Sequence, residues 1–414
     1  MEQPLFQATG GIFTLYWKSV KTRIRIDRVR EVRDVLSGEI TIHIGNPEKW
    51  VFILRDRISL LNSSHRQRVI KEAHNRRNEI EWYDMVIMAC ERAVDKYREG
   101  EVVTDAGDKP ISAKPKFLLY PLLVYQEVNL LYGDGSTCKS YLANLLGLSL
   151  LTGESLVKTL RPIESNIKTL VLDFETNFTV WNDRVQKLKT GMTIDSGTLK
   201  YRHCHQSVTS DIETIHQIVI DNQIQFVVVD SYGMACGGDA WSQVTARDYF
   251  MALRSLGVTT LTVDHITKDK SKPGPFGSAY KPFESRNVWR VKAMQQQEED
   301  VVQVALIHEK ANDSRLLNPL GLRFSFIEDE AVTVDEVDIK DIPGFIDDIP
   351  LQDRIAEVLK HGAMTIGEIA EEIGAKRESV KVKLYQNKKR FIIADMQGKK
   401  WGLLSESPRP GGAP

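Results

Sequence analysis

Residues 131–144 read LYGDGSTCKSYLAN. Within them Gly133, four further residues, then Cys138-Lys139-Ser140 lie one letter away from the phosphate-binding pattern G-x-x-x-x-G-K-[ST]. A glycine-rich turn between a strand and a helix aims successive backbone N–H groups at a polyphosphate, and the helix N-terminus adds its positive end. The pattern makes Gly133, Asp134, Gly135, Ser136, Thr137, Cys138, Lys139, Ser140 and Tyr141 the candidate nucleotide-binding residues. Lys139 is expected to pair with the β- and γ-phosphates, and the Ser140 hydroxyl with Mg2+. Cys138 stands where the pattern has its second glycine, and a Cβ so close to the phosphates is expected to weaken binding.

The flanks supply the context that the pattern needs. The apolar run 128–132 reads as a buried strand. Tyr141-Leu142-Ala143 and Leu145-Leu146-Gly147-Leu148 read as a helix that is hydrophobic on most sides, as expected inside an α/β layer.

A chain of 414 residues is too long for one ordinary core and suggests two or three domains. A composition of 42% hydrophobic and 27% charged residues is that of a soluble globular protein. The net charge of −1 argues against a uniformly basic coat for nucleic acid. No run of eighteen apolar residues occurs, and MEQPLFQATGG at the start has no basic region followed by an apolar one. No membrane partner and a cytoplasmic or nucleoid location are therefore expected. Cys90, Cys138, Cys204 and Cys236 form no C-x-x-C pair, which suits a reducing compartment. His203 and His205 point to one side of a strand as metal ligands do, but without a third ligand nearby they read as a structural pair.

Patterning divides the chain. Residues 1–105 alternate like strands at 11–17, 23–29, 39–45 and 50–54, then turn into one long helix at 64–98, giving an N-terminal β-rich (α+β) domain. Residues 99–116 read as a linker. From 117 to 328 apolar runs at 128–132, 169–174, 199–203, 226–230, 259–264, 287–291, 302–308 and 322–327 alternate with helical stretches, the signature of βα units and a largely parallel sheet. The last three runs lack helices between them and are expected to close the sheet as antiparallel strands. Residues 329–350 read as an acidic linker.

Residues 351–405 show three helices and a hairpin in the order of a winged helix-turn-helix, with Thr365 and Glu368 as a capping box, Gly374 as a stop, and a third helix at 378–389. Nine basic residues against two acidic ones lie between 376 and 400. Arg377, Lys381 and Lys383 are the candidates there for duplex DNA. Residues 406–414 are expected to be disordered.

Two apolar strands end in acids: 169–175 in Asp173-Phe174-Glu175, and 226–231 in Asp230-Ser231. Parallel strands deliver their C-terminal ends to the sheet edge where the phosphate loop lies. Asp230 fits a Mg2+ ligand, and Glu175 fits the carboxylate that orients or deprotonates the attacking water. The run 259–264 leads into His265, placed to touch the γ-phosphate and report its loss.

This set of segments, together with Gly277-Ser278 before Arg286 and Trp289, and with His308-Glu309-Lys310-Ala311-Asn312, resembles the RecA-like P-loop ATPases related to plasmid RepA and DnaB replicative helicases. The resemblance covers 117–328, about half the chain. It implies an α/β fold with a RecA-like P-loop NTPase core, a homo-oligomer that is commonly a ring of six, ATP between subunits, and single-stranded DNA in the central channel. It also implies that Lys310 reaches into a neighbour's site. Where DnaB-like members have an arginine two places after that lysine this chain has Asn312, leaving Lys310 or, next, Arg315 as the finger. The loops 236–244 and 267–281 are candidates for gripping DNA, through Lys268, Lys270, Lys272 and Lys281 with Trp241, Phe276 and Tyr280. The expected activity is a DNA-dependent ATPase working as a helicase or translocase. An ATP-controlled DNA-binding regulator or helicase loader, and a RecA-type recombinase, are the alternatives.

Overall fold

The computed structural model describes residues 2–9, 11–32, 35–46, 48–99, 116–267, 274–295, 300–397 and 399–404. Of the expected linker at 99–116, residues 100–115 lie outside the described residues, as does the tail at 406–414.

Alternating apolar residues fold the first part of the chain into an antiparallel meander of β1 (Leu5–Thr9), β2 (Ile12–Trp17), β3 (Thr22–Val32), β4 (Val35–Asn46) and β5 (Lys49–Ser59). One face, carrying Phe13, Leu15, Trp17, Ile24, Ile26, Ile40 and Ile42, is buried under α1 (Ser63–Arg76) and α2 (Trp82–Glu99). The expected single helix is two helices. A straight helix over 64–98 would run about 50 Å, whereas strands of 11 or 12 residues span about 40 Å. Arg77 leaves the helix at φ −148°, and the Trp82 indole donates to its carbonyl at 2.7 Å. Val69 and Ala73 of α1 thereby join Trp82, Met85 and Val86 of α2 in one core.

Next come a small sheet, β6 (Phe117–Tyr120), β7 (Leu123–Val124) and β9 (Arg161–Pro162), and the nine-stranded sheet of the central part. The latter contains β8 (Val128–Gly133), β10 (Thr169–Asp173), β11 (Lys200–His203), β12 (Phe226–Asp230), β13 (Thr259–His265), β14 (Asn287–Met294), β15 (Val301–Ala311), β16 (Leu320–Ile327) and β17 (Ala331–Val337). Their order is β11-β10-β12-β13-β8-β14-β15-β16-β17. Helices α3 (Lys139–Thr152), α4 (Phe178–Gly191), α5 (Val208–Asp221), α6 (Tyr232–Ala235), α7 (Gln243–Ser255) and α8 (Lys281–Glu284) connect the strands. Successive residues of β12 point to opposite faces: Phe226 and Val228 pack with α3 and α4, Val227 and Val229 with α5 and α7. The result is a three-layer α/β/α arrangement around a mostly parallel sheet, which fits a P-loop NTPase core.

The last three runs pair antiparallel in succession, β14 with β15 and β15 with β16, as expected, and β14 joins them to the parallel part by running parallel to β8. One expectation at this end of the sheet needs correction. The stretch read as an acidic linker, 329–350, opens with β17, whose alternating Val332 and Val334 are buried against β16 and α4. Two 3-10 turns follow, and Ile339, Ile342, Phe345 and Ile349 pack on Ala305.

The last part comprises α9 (Leu351–Leu359), β18 (Met364–Thr365), α10 (Ile366–Glu372), α11 (Arg377–Gln386), β19 (Phe391–Asp395) and β20 (Lys400–Leu403), with strand order β18-β20-β19. Thr365 and Glu368 form the capping box of α10. The third helix ends at Gln386, where the Asn387 side chain donates back to the Lys383 carbonyl at 2.9 Å, so Lys388, Lys389 and Arg390 fall in the following turn. Among the described residues no helix is long and apolar enough to cross a membrane.

Candidate nucleotide site

Register brings the ends of four parallel strands to one edge: Asp173 stands opposite Asp230, Asp230 opposite Val263, and His265 opposite Gly133. Gly133 has to be glycine because a Cβ there would collide with the Val291 carbonyl of β14. The loop from Gly133 to Lys139 turns through left-handed backbone at Ser136 (φ 59°) and Cys138 (φ 58°), and Cys138 opens α3. Thr137 Oγ1 donates to the Asp134 carbonyl at 2.8 Å. The buried Lys139 ammonium donates to the Gly133 carbonyl at 3.0 Å, to Thr137 Oγ1 at 3.2 Å and to the Asp134 carbonyl. Burial holds its pKa below the ordinary lysine value, with Asp230 and Glu175 opposing that shift. Such an ammonium, satisfied only by its own loop, can exchange neutral carbonyls for phosphate oxygens.

The Cys138 side chain packs against the core, and burial pushes its thiol up to about 12, so it stays protonated. The left-handed backbone at this residue carries its own prediction. Cys138→Gly should leave stability unchanged or raise it by up to about 1 kcal/mol, with ADP affinity equal or tighter, whereas Cys138→Val should lose both. Urea unfolding and titration with a fluorescent ADP read the two effects. A loss of more than about 1 kcal/mol in the glycine variant would show that packing, not backbone strain, dominates here.

Ser140 Oγ donates to Asp230 Oδ2 at 2.6 Å. Asp230 is buried, and desolvation pushes its carboxyl up to about 6, against the Ser140 hydrogen bond and with help from Glu175 and Asp173. A buried carboxylate whose charge is so costly, beside a hydroxyl, fits a hard cation. Among the described residues no group of three or more His, Cys, Asp or Glu is arranged to hold a metal ion by itself, and a hard cation bound here would take further oxygen ligands from nucleotide and water.

The loop after β10 is braced by Asp173. Its carboxylate accepts from the Glu175 and Thr176 amides at 3.0 Å each, from Thr176 Oγ1 at 2.6 Å and from the Tyr201 hydroxyl at 2.8 Å. Burial raises the Asp173 pKa, but these bonds outweigh it and hold the carboxyl below its usual value. Glu175 Oε1 is thereby presented to His265 Nε2 at 3.0 Å and to the Ser231 hydroxyl. The hydrogen bond to His265 lowers the Glu175 pKa, and the same bond raises that of His265. The backbone of His265 is held from beneath, its N–H donating to Asp264 Oδ1 at 2.8 Å.

Two adjoining clefts share Gly135, Glu175 and His265. The first, ≈ 560 Å³, runs along the phosphate loop past Tyr141, Arg184, Asp230 and Phe326. The second, ≈ 840 Å³, is lined by Met234, Trp241, Ile266 and Phe276 from the loops after β12 and β13. Those loops are stapled together. The Ser278 amide donates to the Ala240 carbonyl at 2.8 Å, and the Trp241 and Phe276 rings meet edge-on at 5.4 Å.

Other candidate residues lie elsewhere. Lys268, Lys270 and Lys272 fall outside the described residues. Lys281, grouped with them in the sequence, is fully buried: its ammonium pairs with Asp264, donates to the Phe276 carbonyl and sits 3.9 Å above the Tyr232 ring. It cannot touch DNA. Lys310 lies at the far end of β15, away from this phosphate loop, and donates to the Pro282, Phe283 and Ser285 carbonyls at 2.6, 3.1 and 2.8 Å. Arg315 is exposed in the loop between β15 and β16. Arg377 and Lys381 are exposed on α11, and Lys383 is half-buried. Two site residues escaped the sequence reading. Ser231 binds Glu175, and Arg184 of α4 reaches the phosphate-loop cleft while stacking 6.0 Å from the Tyr141 ring. The one available signal for Arg184 was its position two turns into the helix that follows Glu175.

A phosphate-type loop, a serine–aspartate pair and a glutamate at one edge of a parallel sheet define a nucleotide-binding P-loop domain of ATPase type. Agreeing with this, residues 93–271, less than half of the chain, match a family model described as an AAA domain. No curated protein matches the chain.

Proposed function

We propose that this protein is a DNA-dependent ATPase, working as a homo-oligomer, commonly a ring of six, that couples ATP hydrolysis to movement on single-stranded DNA. The observation that carries the hydrolytic part is the convergence of Lys139, Ser140–Asp230 and Glu175–His265 on one cleft. Lys139 and the loop amides bind the phosphates, and Ser140 and Asp230 would hold Mg2+, which when bound neutralises charge on the β- and γ-phosphate oxygens. Glu175 takes the proton of the attacking water. His265, hydrogen-bonded to Glu175, senses the γ-phosphate, and its carbonyl accepts from the Phe276 amide at 2.7 Å, a direct route to the loop that carries DNA-facing residues.

Oligomerisation is supported by a missing charge. Lys139 and Arg184 are the cations that line the cleft among the described residues. A finger from a neighbouring subunit is worth ~10^3 to 10^5 in turnover. Arg315, with no hydrogen bond or ion pair among the described residues, fits that role better than Lys310, which would have to give up three carbonyls. The DNA part rests on Trp241 and Phe276 beside the site, on the lysines of 268–272, and on Arg377, Lys381 and Lys383 of the C-terminal unit, read as a winged helix that meets duplex DNA.

The test is the ATPase rate with and without single-stranded DNA, together with fork unwinding, for wild type and Lys139→Ala. DNA should stimulate the wild type, and the variant should lose both activities. Absence of stimulation and of strand separation would leave the ATP-controlled regulator or loader, which instead requires sequence-specific duplex binding.

A further inference from the structure

The outer face of the meander β1–β5 plays no part in the site above. Cross-strand register sets Tyr16, Arg23, His43 and Phe52 side by side in one row and Thr14, Arg25, Thr41 and Arg55 in the next. A bulge between Ile42 and His43 keeps Phe52 and Arg55 on the same face. Trp50 joins the first row, edge-on to Tyr16 at 5.6 Å and to His43 at 6.4 Å, with His43 5.9 Å from Phe52. Phe52 is 54% exposed.

The charges on this face are not balanced. Arg25 and Arg55 have acidic partners, Asp27 at 2.7 Å and Glu39 at 3.1 Å. Arg23 has none among the described residues. Its guanidinium lies 4.3 Å above the Trp50 ring, and its Nε is buried without a hydrogen-bond partner. Burial and then the charges of Arg23, Arg55 and Arg25 hold His43 below its usual pKa. Lys18 and Lys21 are exposed in the turn between β2 and β3, and Lys49, exposed beside Glu48, opens β5 at the same end, where the Gly45 amide of β4 donates to the Lys21 carbonyl at 2.8 Å. The other end of β3 is the one that meets the central part, through Arg30 Nη2 donating to the Thr209 carbonyl at 2.9 Å.

We propose that this face binds single-stranded DNA, with bases stacked on Trp50 and Phe52 and phosphates set against Arg23, Lys21 and Lys49. A polymer of planar faces and evenly spaced anions matches both halves of the cluster. An acidic peptide would supply the charge without the planes, and a duplex hides its base faces. Only the choice of a deoxy strand rests on the proposed ATPase function; the stacking surface stands without it.

Photo-cross-linking of the full chain to a bromodeoxyuridine-substituted oligo-dT, with peptide mapping, tests the proposal directly. Cross-links are expected at Tyr16, Trp50 or Phe52, equally in Lys139→Ala. By fluorescence anisotropy with labelled oligo-dT, Trp50→Ala should weaken binding by about tenfold or more, and Arg23→Ala should lower the slope of log affinity against log salt by about 0.7. Both residues lie outside the apolar core, so both variants are expected to remain folded, with midpoints lowered only by the lost contacts of Trp50 with Tyr16, His43 and Arg23. Cross-links confined to other parts of the chain, unchanged affinity in both variants, or binding only of oligo-rU or of duplex would overturn it. Cross-links on this face without DNA-stimulated ATP hydrolysis would remove the proposed motor and leave this site standing.

Discussion

Glu175→Gln should bind Mg-ATP with near wild-type affinity and hydrolyse it about 10^2- to 10^4-fold more slowly, the range for loss of a general base. The amide keeps the shape of the carboxylate and can still accept from Ser231, so the loop braced by Asp173 has no reason to move. What disappears is the ability to take a proton. Single-turnover hydrolysis and ADP titration on the same preparation separate the two effects, and a rate within a few-fold of wild type would remove the assigned role. The His265 hydrogen bond adds a pH signature. It raises the His265 pKa above 6.5 and lowers that of Glu175 below 4.5, so both partners are charged between the two shifted values. The stability that His265 contributes is complete below 6.5 and is lost as pH rises through its raised value. The stability that Glu175 contributes is present above 4.5 and is lost as pH falls through its lowered value. Both side chains are partly exposed, so the effect on stability is small. The effect on rate is not. Deprotonating His265 releases Glu175 as a stronger base, and turnover should climb through a limb above 6.5 that His265→Gln abolishes.

The residues that became legible in the sequence share a property: each ends an apolar strand or opens the helix after it. Glu175, Asp230, His265 and Lys139 were found that way, because a parallel sheet sends all such positions to one edge. The pairing of Glu175 with His265 was not legible. It spans two loops whose strands are separated by β12, and depends on the order β10-β12-β13, which no local pattern encodes. Arg184 was hidden for a related reason, since a helical arginine in an ordinary charged face carries no sign of the cleft it enters. Charge also misled. It masked the alternation of β17 in an acidic stretch, and it put Lys281 among loop lysines although its neighbour in space is Asp264. The broken helix between Arg76 and Trp82 lacked any Gly or Pro to announce it; the length of the sheet beneath set the break.

Lys281→Met should destabilise the protein by about 3–5 kcal/mol, the cost of leaving one charge of a buried pair without its partner. Both side chains are fully buried, so the Asp264 carboxylate that the variant leaves behind is out of reach of solvent. Burial lowers the Lys281 pKa and raises that of Asp264, each toward its neutral form, while their mutual attraction opposes both shifts. The variant Asp264→Asn/Lys281→Met removes both charges and keeps an acceptor for the His265 amide, so it should recover more than half of the loss in urea unfolding. A single variant that costs less than about 1 kcal/mol would mean that Asp264 is protonated when alone and the pair is dispensable. The same variant tests the route out of the nucleotide site. Lys281 holds the Phe276 carbonyl, and the Phe276 amide bonds the carbonyl of His265, so the pair fixes the loop joined to His265, the residue proposed to sense the γ-phosphate. If that fixation matters, Lys281→Met studied where it is still fully folded should bind ADP normally yet lose coupling between hydrolysis and DNA, whereas a purely structural pair would leave the coupling intact.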